Sequence, residues 1–320
     1  MARKATWALA VSAALAAGSL AASAQAPSAL PPENVTVTAA RSREALDKFA
    51  KAFSVPTKLT GKIARWETAI CPSVVGQKPS FNAFIAQRVY AIAAAAGAPA
   101  NANPSCTPNI QIIFTTTPQQ LLDQVRKDDV DYLGYAETSA KREALATVTR
   151  PVQAWYTTET IDLDGIHRMD SARKLGNGIT MSNFTAFAMP TTSGVNRVPI
   201  DLPYATYARV TGNHINDGVR TGLNHVIIVI DSSKLAGQRV VPLSDYISML
   251  ALTQLNSLDT CQQLSSIVNL MAAGCDQKID GLTATDLAYL RGLYKMGSDK
   301  SLLFQQDDIA DVMAKETQGR

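Results

Sequence analysis

The side chains that could carry out acid–base or metal chemistry are few and widely spaced in this sequence. Its three histidines are His167, His214 and His225. His225 lies in the β-branched run NHVIIVID, where a histidine is usually a hydrogen-bonded core residue. Alternatively, His225 meets His214 and Asp217 of the polar segment TGNHINDG and forms a small metal or acid–base site with them. Both interpretations are open, and His214, Asp217 and His225 are the candidate site.

Other motifs give weaker indications of chemistry. His167 lies among three aspartates, and this composition is typical of a solvated loop: Asp162, Asp164 and Asp170. Ser171 and Lys174 have the S-x-x-K spacing in which a lysine activates a serine nucleophile. The companion motifs K-T-G and S-D-N are missing, so we interpret this spacing as a chance occurrence. G-x-S-x-G, the P-loop and G-x-G-x-x-G are missing too, and we predict no catalytic residue, no cofactor and no metal.

The four cysteines indicate disulfide bonds. They are Cys71, Cys106, Cys261 and Cys275, an even number that in an exported protein favours two bridges. Three pairings are open, and we favour the local one, in which Cys71 bonds Cys106 and Cys261 bonds Cys275. A metal site is the rival interpretation, but the sequence has no C-x-x-C and no histidine close to a cysteine.

The N-terminus has the three parts of a secretory signal peptide. Arg3 and Lys4 precede a short apolar run, and the segment ends Ala22-Ser23-Ala24. We therefore expect residues 1–24 to be removed and the protein to be exported, to the periplasm or the medium. Removal lowers the formal net charge from +3 to +1, and no run of Lys and Arg indicates a nucleic-acid partner. No other stretch is long and apolar enough to predict a membrane segment.

Hydrophobic periodicity predicts one α+β (or α/β) domain over 41–315, with a single mixed sheet, packed helices and a helical C-terminal third. A flexible arm is expected over 25–40, a loop excursion over 162–200 and a tail over 316–320. Trp66 and Trp155 are expected in the core. Apolar spacing and capping residues predict helices over 42–53, 81–96, from Pro118, 139–148, 243–255, 265–271 and 283–295. Strands are predicted over 63–70, 109–115, 152–158 and 224–231.

The order of these elements resembles the layout of zincin metallopeptidases. A strand, an amphipathic helix and a strand come first, and a buried helix follows later. The segment GLTATDLAYLRGLY then resembles an LT-x-x-D-x-x-x-L-x-x-LY element that follows the zinc-binding helix of those enzymes. Zincins hold zinc with H-E-x-x-H on that helix. The corresponding helix here, over 243–255, contains no histidine and no glutamate, so no site residue transfers.

A second resemblance is to an uncharacterised group of exported bacterial proteins. The segments ARWETAICPSVVG, QIIFTTTPQQLLDQVRK, QAWYTT and LDTCQ carry it. This resemblance implies no mechanism. Because of the signal peptide, the two expected disulfides and the apolar helix without zinc ligands, we expect a non-catalytic binding or envelope-associated module on a zincin-like scaffold without zinc. Its partner is not determined by the sequence; an envelope or extracellular protein and a small ligand are both open. The alternative is a hydrolase whose non-standard site includes His214, Asp217 and His225.

Overall fold

The computed structural model describes residues 32–101, 105–170, 187–191, 194–198, 218–256, 258–275 and 279–318. The chain divides into two units, Met1–Ala40 and Arg41–Arg320. Of the first unit the structure describes only 32–40, which are helical. His214, Asp217, Ser171 and Lys174 lie outside the described residues, as does the whole predicted signal peptide.

The described residues form an α+β fold, as the hydrophobic pattern predicts. The helices are α1 (Pro32–Phe53), α2 (Pro79–Ala96), α3 (Pro118–Asp129), α4 (Ser139–Leu145), α5 (Val240–Leu252), α6 (Ala284–Lys295) and α7 (Leu302–Gln318). The strands are β1 (Pro72–Val75), β2 (Ile110–Thr115), β3 (Val152–Ile161), β4 (His167–Met169), β5 (Phe187–Thr191), β6 (Gly194–Val198) and β7 (Arg220–Asp231). None of the helices in these ranges is both long and apolar enough to cross a bilayer.

Five strands form one mixed sheet in the order β1-β2-β7-β3-β4. β1, β2 and β7 are parallel neighbours, whereas β3 is antiparallel to both β7 and β4. β7 is therefore the central strand, which explains the β-branched, apolar run that predicted it. β5 and β6 form a separate antiparallel pair.

The sheet has a different core on each face, because successive side chains of a strand point to opposite sides. Ile228 and Ile230 of β7 pack in the larger core with residues of α2, α5, α6 and α7, and we call this side the α5 face. Ile227 and Val229 pack with residues of α3 and with Trp155, and we call this side the α3 face. Trp155 and Trp66 are both buried, as expected.

The helix boundaries follow the predicted capping signals closely. α2 ends at Gly97, whose φ of 83° is left-handed and whose N–H bonds the carbonyl of Ala94. α6 begins with a capping box between Thr283 and Asp286, as the sequence predicts. α5 is buried from Pro242 to Leu252, as predicted for a helix that is apolar on most sides.

Some predicted elements differ from the structure. The first helix begins at Pro32, so 32–40 of the predicted arm are helical, and α7 continues through 316–318 of the predicted tail. The segment 265–271 contains a short 3-10 turn in place of an α-helix. β4, β5 and β6 occupy part of the predicted excursion over 162–200.

The segment 63–70 is not a strand, although its composition predicts one. Its backbone groups bond three separate partners: the Ile63 N–H donates to Gln305 Oε1, the Arg65 carbonyl accepts from Leu223 N–H, and the Ile70 N–H donates to Pro99 O. These bonds go to separate parts of the chain, so no ladder forms. The segment is still core, because Ile63, Trp66 and Ile70 are buried.

Candidate functional site

His225, the one described residue of the candidate site, lies on β7 and is fully buried. It pairs with Thr157 of β3, and its ring meets the ring of Tyr132 edge to face, with 6.3 Å between centroids. Neither ring nitrogen has a hydrogen-bond partner in the described part of the chain. Burial lowers the pKa of His225 to about 4, so the ring is neutral at neutral pH. His225 is therefore buried in the core, and its ring has no hydrogen-bond partner among the described residues.

His167 is not the solvated loop group that its neighbours suggest. It begins β4, and its Nδ1 lies 2.7 Å from Oε1 of Glu159, a carboxylate that is 3% exposed. Asn224 Nδ2 donates to the other oxygen, Oε2, at 3.0 Å. Asn224 is the extra residue of a bulge, where the pairing with β3 shifts between Thr157 and Thr158. This Glu159–His167–Asn224 cluster joins residues far apart in sequence, and no local motif indicated it.

The cluster depends on Gly222, which pairs with Glu159 across the sheet. A Cβ at Gly222 would lie 2.8 Å from Glu159 Oε1, closer than such atoms approach. Glycine therefore leaves room for the carboxylate under the bulge. Asn224 Oδ1 is buried and has no partner in the described residues.

Two aspartates that flank His167 hold the β3–β4 turn together. Asp162 accepts the backbone N–H of Ile166 and pairs with Arg168, and these contacts lower the pKa of its carboxyl. Asp170 accepts hydroxyl hydrogens from Thr158 and Thr160, yet burial dominates and raises the pKa of its carboxyl. Within the described ranges, no three His, Cys, Asp or Glu side chains form a group that could hold a metal ion.

Both disulfides have the local pairing that the spacing favours. Cys71 bonds Cys106 with an S–S distance of 2.00 Å, and Cys261 bonds Cys275 at 2.01 Å. The first bridge ties the segment before β1 to the segment before β2. The second closes a short loop in the C-terminal third.

A groove of about 370 Å³ lies along the edge of β3 that faces away from β7. We call it the β3 groove. One wall consists of Val55–Lys58 with Gln254, Leu255, Asn256 and Leu258, and the other of 133–135 with 144–145. The base includes 153–156 and Thr158 of β3. The sequence predicted the strand but gave no sign of the groove.

Backbone hydrogen bonds alternate between the two edges of β3, and this alternation shows which of its N–H and C=O groups face the groove. The Asp231 N–H donates to Pro151 O at 2.8 Å, so odd-numbered residues of this part of β3 exchange bonds with β7. The N–H and C=O of Ala154 and Tyr156 consequently point to the other edge. β4 pairs with that edge at Glu159–Ile161, and the Asp170 N–H donates to Thr158 O next to this pairing. Among the described residues, no strand pairs with the outer edge of 152–156.

Two further residues shape the groove. Gly134 has a φ of 101°, and a Cβ there would lie 2.5 Å from the carbonyl oxygen of Tyr156, so Gly134 covers this oxygen. Of Ala154 and Tyr156, the two residues of 152–156 that line the groove and point outward, Ala154 is the one that presents both an N–H and a C=O. The carboxamide oxygen of Gln254, on the opposite wall, is buried and has no hydrogen-bond donor in the parts of the chain that the structure describes.

Comparison with known proteins gives no relative: no protein-family model, no curated protein and no solved structure matches this chain.

Proposed function

We propose that this protein is an exported, non-catalytic binding module whose ligand is an extended peptide segment that adds as a strand to the outer edge of β3. The observation that carries the proposal is the outer edge of 152–156 at the base of the β3 groove, with which no strand of the described residues pairs. Unpaired strand edges bind extended peptides through main-chain hydrogen bonds, while pockets on either side select side chains.

The placement of the backbone groups and walls of the groove supports a peptide ligand. Antiparallel addition would place one ligand residue opposite Ala154, where it exchanges two hydrogen bonds with the outward N–H and C=O. The two walls lie on opposite faces of the strand, so successive ligand side chains would point alternately to each wall. Gln254 Oε1, on one wall of the groove, is an acceptor without a donor among the described residues, and a ligand could supply one.

The side-chain contacts of α5 support a non-catalytic role. This helix occupies the place of the zinc-binding helix in the zincin resemblance, but its side chains already have structural partners. Arg88 binds the buried carboxylate of Asp245 through two nitrogens, and Leu282 N–H donates to the same carboxylate at 2.7 Å. Ser248 donates to the carbonyl of Ser244 at 2.7 Å. The helix is thus used for packing along its length.

Export is supported by the signal-peptide pattern of residues 1–24 together with the two disulfides, which persist in oxidising compartments. An exported module with an open strand edge would meet other envelope or extracellular proteins, whose extended segments are the ligands that we infer.

Ala154→Pro tests the proposal directly. Proline removes the outward N–H and leaves the β7 ladder intact, because Ala154 does not donate to β7, and proline is tolerated at such edge positions. A phage-displayed library of random dodecapeptides is selected on the wild type, and the selected peptides are titrated against both proteins. We expect about tenfold weaker binding by the variant, from one lost hydrogen bond and the steric effect of the ring on a pairing strand.

Ala154→Ser is the matched control, since it changes the same side chain but keeps the N–H. It should bind the selected peptides like the wild type. Equal affinity of Ala154→Pro and Ala154→Ser for every selected peptide would show that strand addition at β3 is not the binding mode. Circular dichroism of both variants establishes that the fold is retained.

A hydrolase is a second candidate function, and the Glu159–His167 contact favours it. A carboxylate that bonds Nδ1 of a half-exposed histidine orients the ring and leaves Nε2 to act on a substrate. The neutral, buried His225 would lie deeper on the same strand face as the cluster. Hydrolysis of p-nitrophenyl acetate that His167→Ala abolishes and His214→Ala reduces would establish this alternative; turnover unchanged by both substitutions would remove it.

A further inference from the structure

The side chains that line the β3 groove carry positive charge. Its described lining residues include two cations, Lys58 and Arg150, and no aspartate or glutamate. The two cations differ in one respect. Arg150 is already satisfied, because its Nε and Nη2 both bond the carboxylate of Asp259.

Lys58 has no carboxylate within ion-pair distance among the described residues, and it is exposed. Glu137 lies within electrostatic range of Lys58: its pKa is lowered by its hydrogen bond to Lys141 and, more weakly, by the charge of Lys58. Glu137 is thus already paired with Lys141. The ammonium group of Lys58 remains available to a ligand at the mouth of the groove.

We propose that the extended peptide bound by β3 carries an aspartate or glutamate that pairs with Lys58. This inference rests on the proposed function and specifies its partner: a protein segment with an acidic side chain, not a neutral or basic one. Lys58 donates a charge-assisted hydrogen bond to the carboxylate, and no groove carboxylate among the described residues opposes the incoming charge.

The register of the acidic residue follows from the faces of β3. Tyr156 points to the α5 face, because its hydroxyl donates to the carbonyls of Leu250 and Thr253. Ala154 points to the same face, and so does a ligand residue paired opposite it. The wall with Lys58 is on this face as well, since Ser54 bridges to Leu255 after α5. The acidic residue therefore belongs opposite Ala154 or two positions away, and never at the positions between.

The test uses arrayed decapeptides of alternating threonine and valine, in which one Glu, Gln or Lys is moved through every position. For the wild type we expect the Glu peptides to bind about 2- to 5-fold better than the Lys peptides, the range for one exposed ion pair. The preference should recur at alternate positions only and should weaken in high salt. Lys58→Glu should reverse it in favour of the Lys peptides.

Lys127→Glu is the control, because it makes the same change of charge at an exposed lysine outside the groove. It should keep the preference for Glu. If Lys58→Glu keeps the preference too, or if the preference has no alternation, the assignment of an acidic ligand to Lys58 is overturned. The Ala154→Pro variant separates the two proposals: peptide binding that needs the Ala154 N–H but ignores Lys58 refutes only this inference. Binding that ignores both residues refutes the proposed function.

Discussion

His225 should make the protein sensitive to mild acid. Its imidazole is fully buried on the α3 face without a hydrogen-bond partner among the described residues, and its pKa is lowered to about 4 by that burial, against 6.5 for a free histidine. In the unfolded chain the ring binds a proton near pH 6.5, whereas in the folded chain it stays neutral until about pH 4. The unfolded state therefore binds more protons over this window.

The sign and size of the effect follow from this difference. The contribution of His225 to stability is complete above about pH 6.5 and is lost progressively as the pH falls toward 4. The complete loss amounts to about 3 kcal/mol, of which about 2 kcal/mol is lost by pH 5. The buried carboxyls of Asp170 and Asp286 have raised pKa values and act in the opposite direction. Only a difference between variants isolates the histidine.

His225→Leu removes the titrating group and leaves no polar atom unpaired at this position. Its free energy of unfolding should equal or exceed that of the wild type at pH 7.5, because replacing an unpartnered buried polar group with an apolar one is neutral or stabilising. Between pH 7.5 and pH 5 the wild type should lose about 2 kcal/mol more than the variant. Urea titrations followed by tryptophan fluorescence measure both values.

Ile227→Leu, on the same face of β7, is the control because it conserves volume and keeps the imidazole. It should lose stability with pH like the wild type. If His225→Leu and Ile227→Leu lose the same free energy between pH 7.5 and 5, the ring is hydrated or hydrogen-bonded in solution and the argument from its burial is wrong.

Four further substitutions test the fold. Gly76→Ala should lower the free energy of unfolding by more than the roughly 1–3 kcal/mol that a left-handed backbone costs, because its Cβ would lie 2.0 Å from Phe114 O. Gly97→Ala is also left-handed, but its Cβ would lie in open space, so it should lower the free energy of unfolding by less. Urea denaturation of the two variants measures the difference. Leu250→Glu should cost several kcal/mol or prevent folding, because it buries an unpaired charge in α5, and a melting temperature equal to that of the wild type would contradict the burial. Cys261→Ser should lower stability by about 2–5 kcal/mol, and an unchanged denaturation midpoint under non-reducing conditions would show that this bridge does not form.

The sequence predicted the elements whose signals are local. β7 was recognisable because a central strand of a sheet that is covered on both faces must be apolar on both. The start of α6 was recognisable because a capping box needs only Thr283 and Asp286. The segment 63–70 was predicted wrongly, because its apolar residues are buried as in a strand, but its hydrogen-bond partners lie far away in sequence. β1 was missed, since four residues that begin with a proline give no periodicity.

The features of the candidate sites depend on long-range pairing, and this explains why sequence analysis missed them. The run QAWYTT predicted a strand, but whether its outer edge is paired is set by the order of strands in the sheet. Glu159 and Asn224 meet only because the bulge in β7 adds one residue opposite β3. The cluster of His214, Asp217 and His225 stays a prediction, as two of its members lie outside the described residues.

Amide hydrogen exchange at Ala154, followed by NMR, tests the central claim most directly, because it reports whether the outer edge of β3 is open. In the free protein the Ala154 amide should exchange much faster than the Trp155 amide, which bonds β7 in the ladder. A saturating peptide from the dodecapeptide selection should then slow Ala154 and leave Trp155 unchanged. Protection of Ala154 equal to that of Trp155 in the free protein would show that the edge is already paired, and would contradict the account.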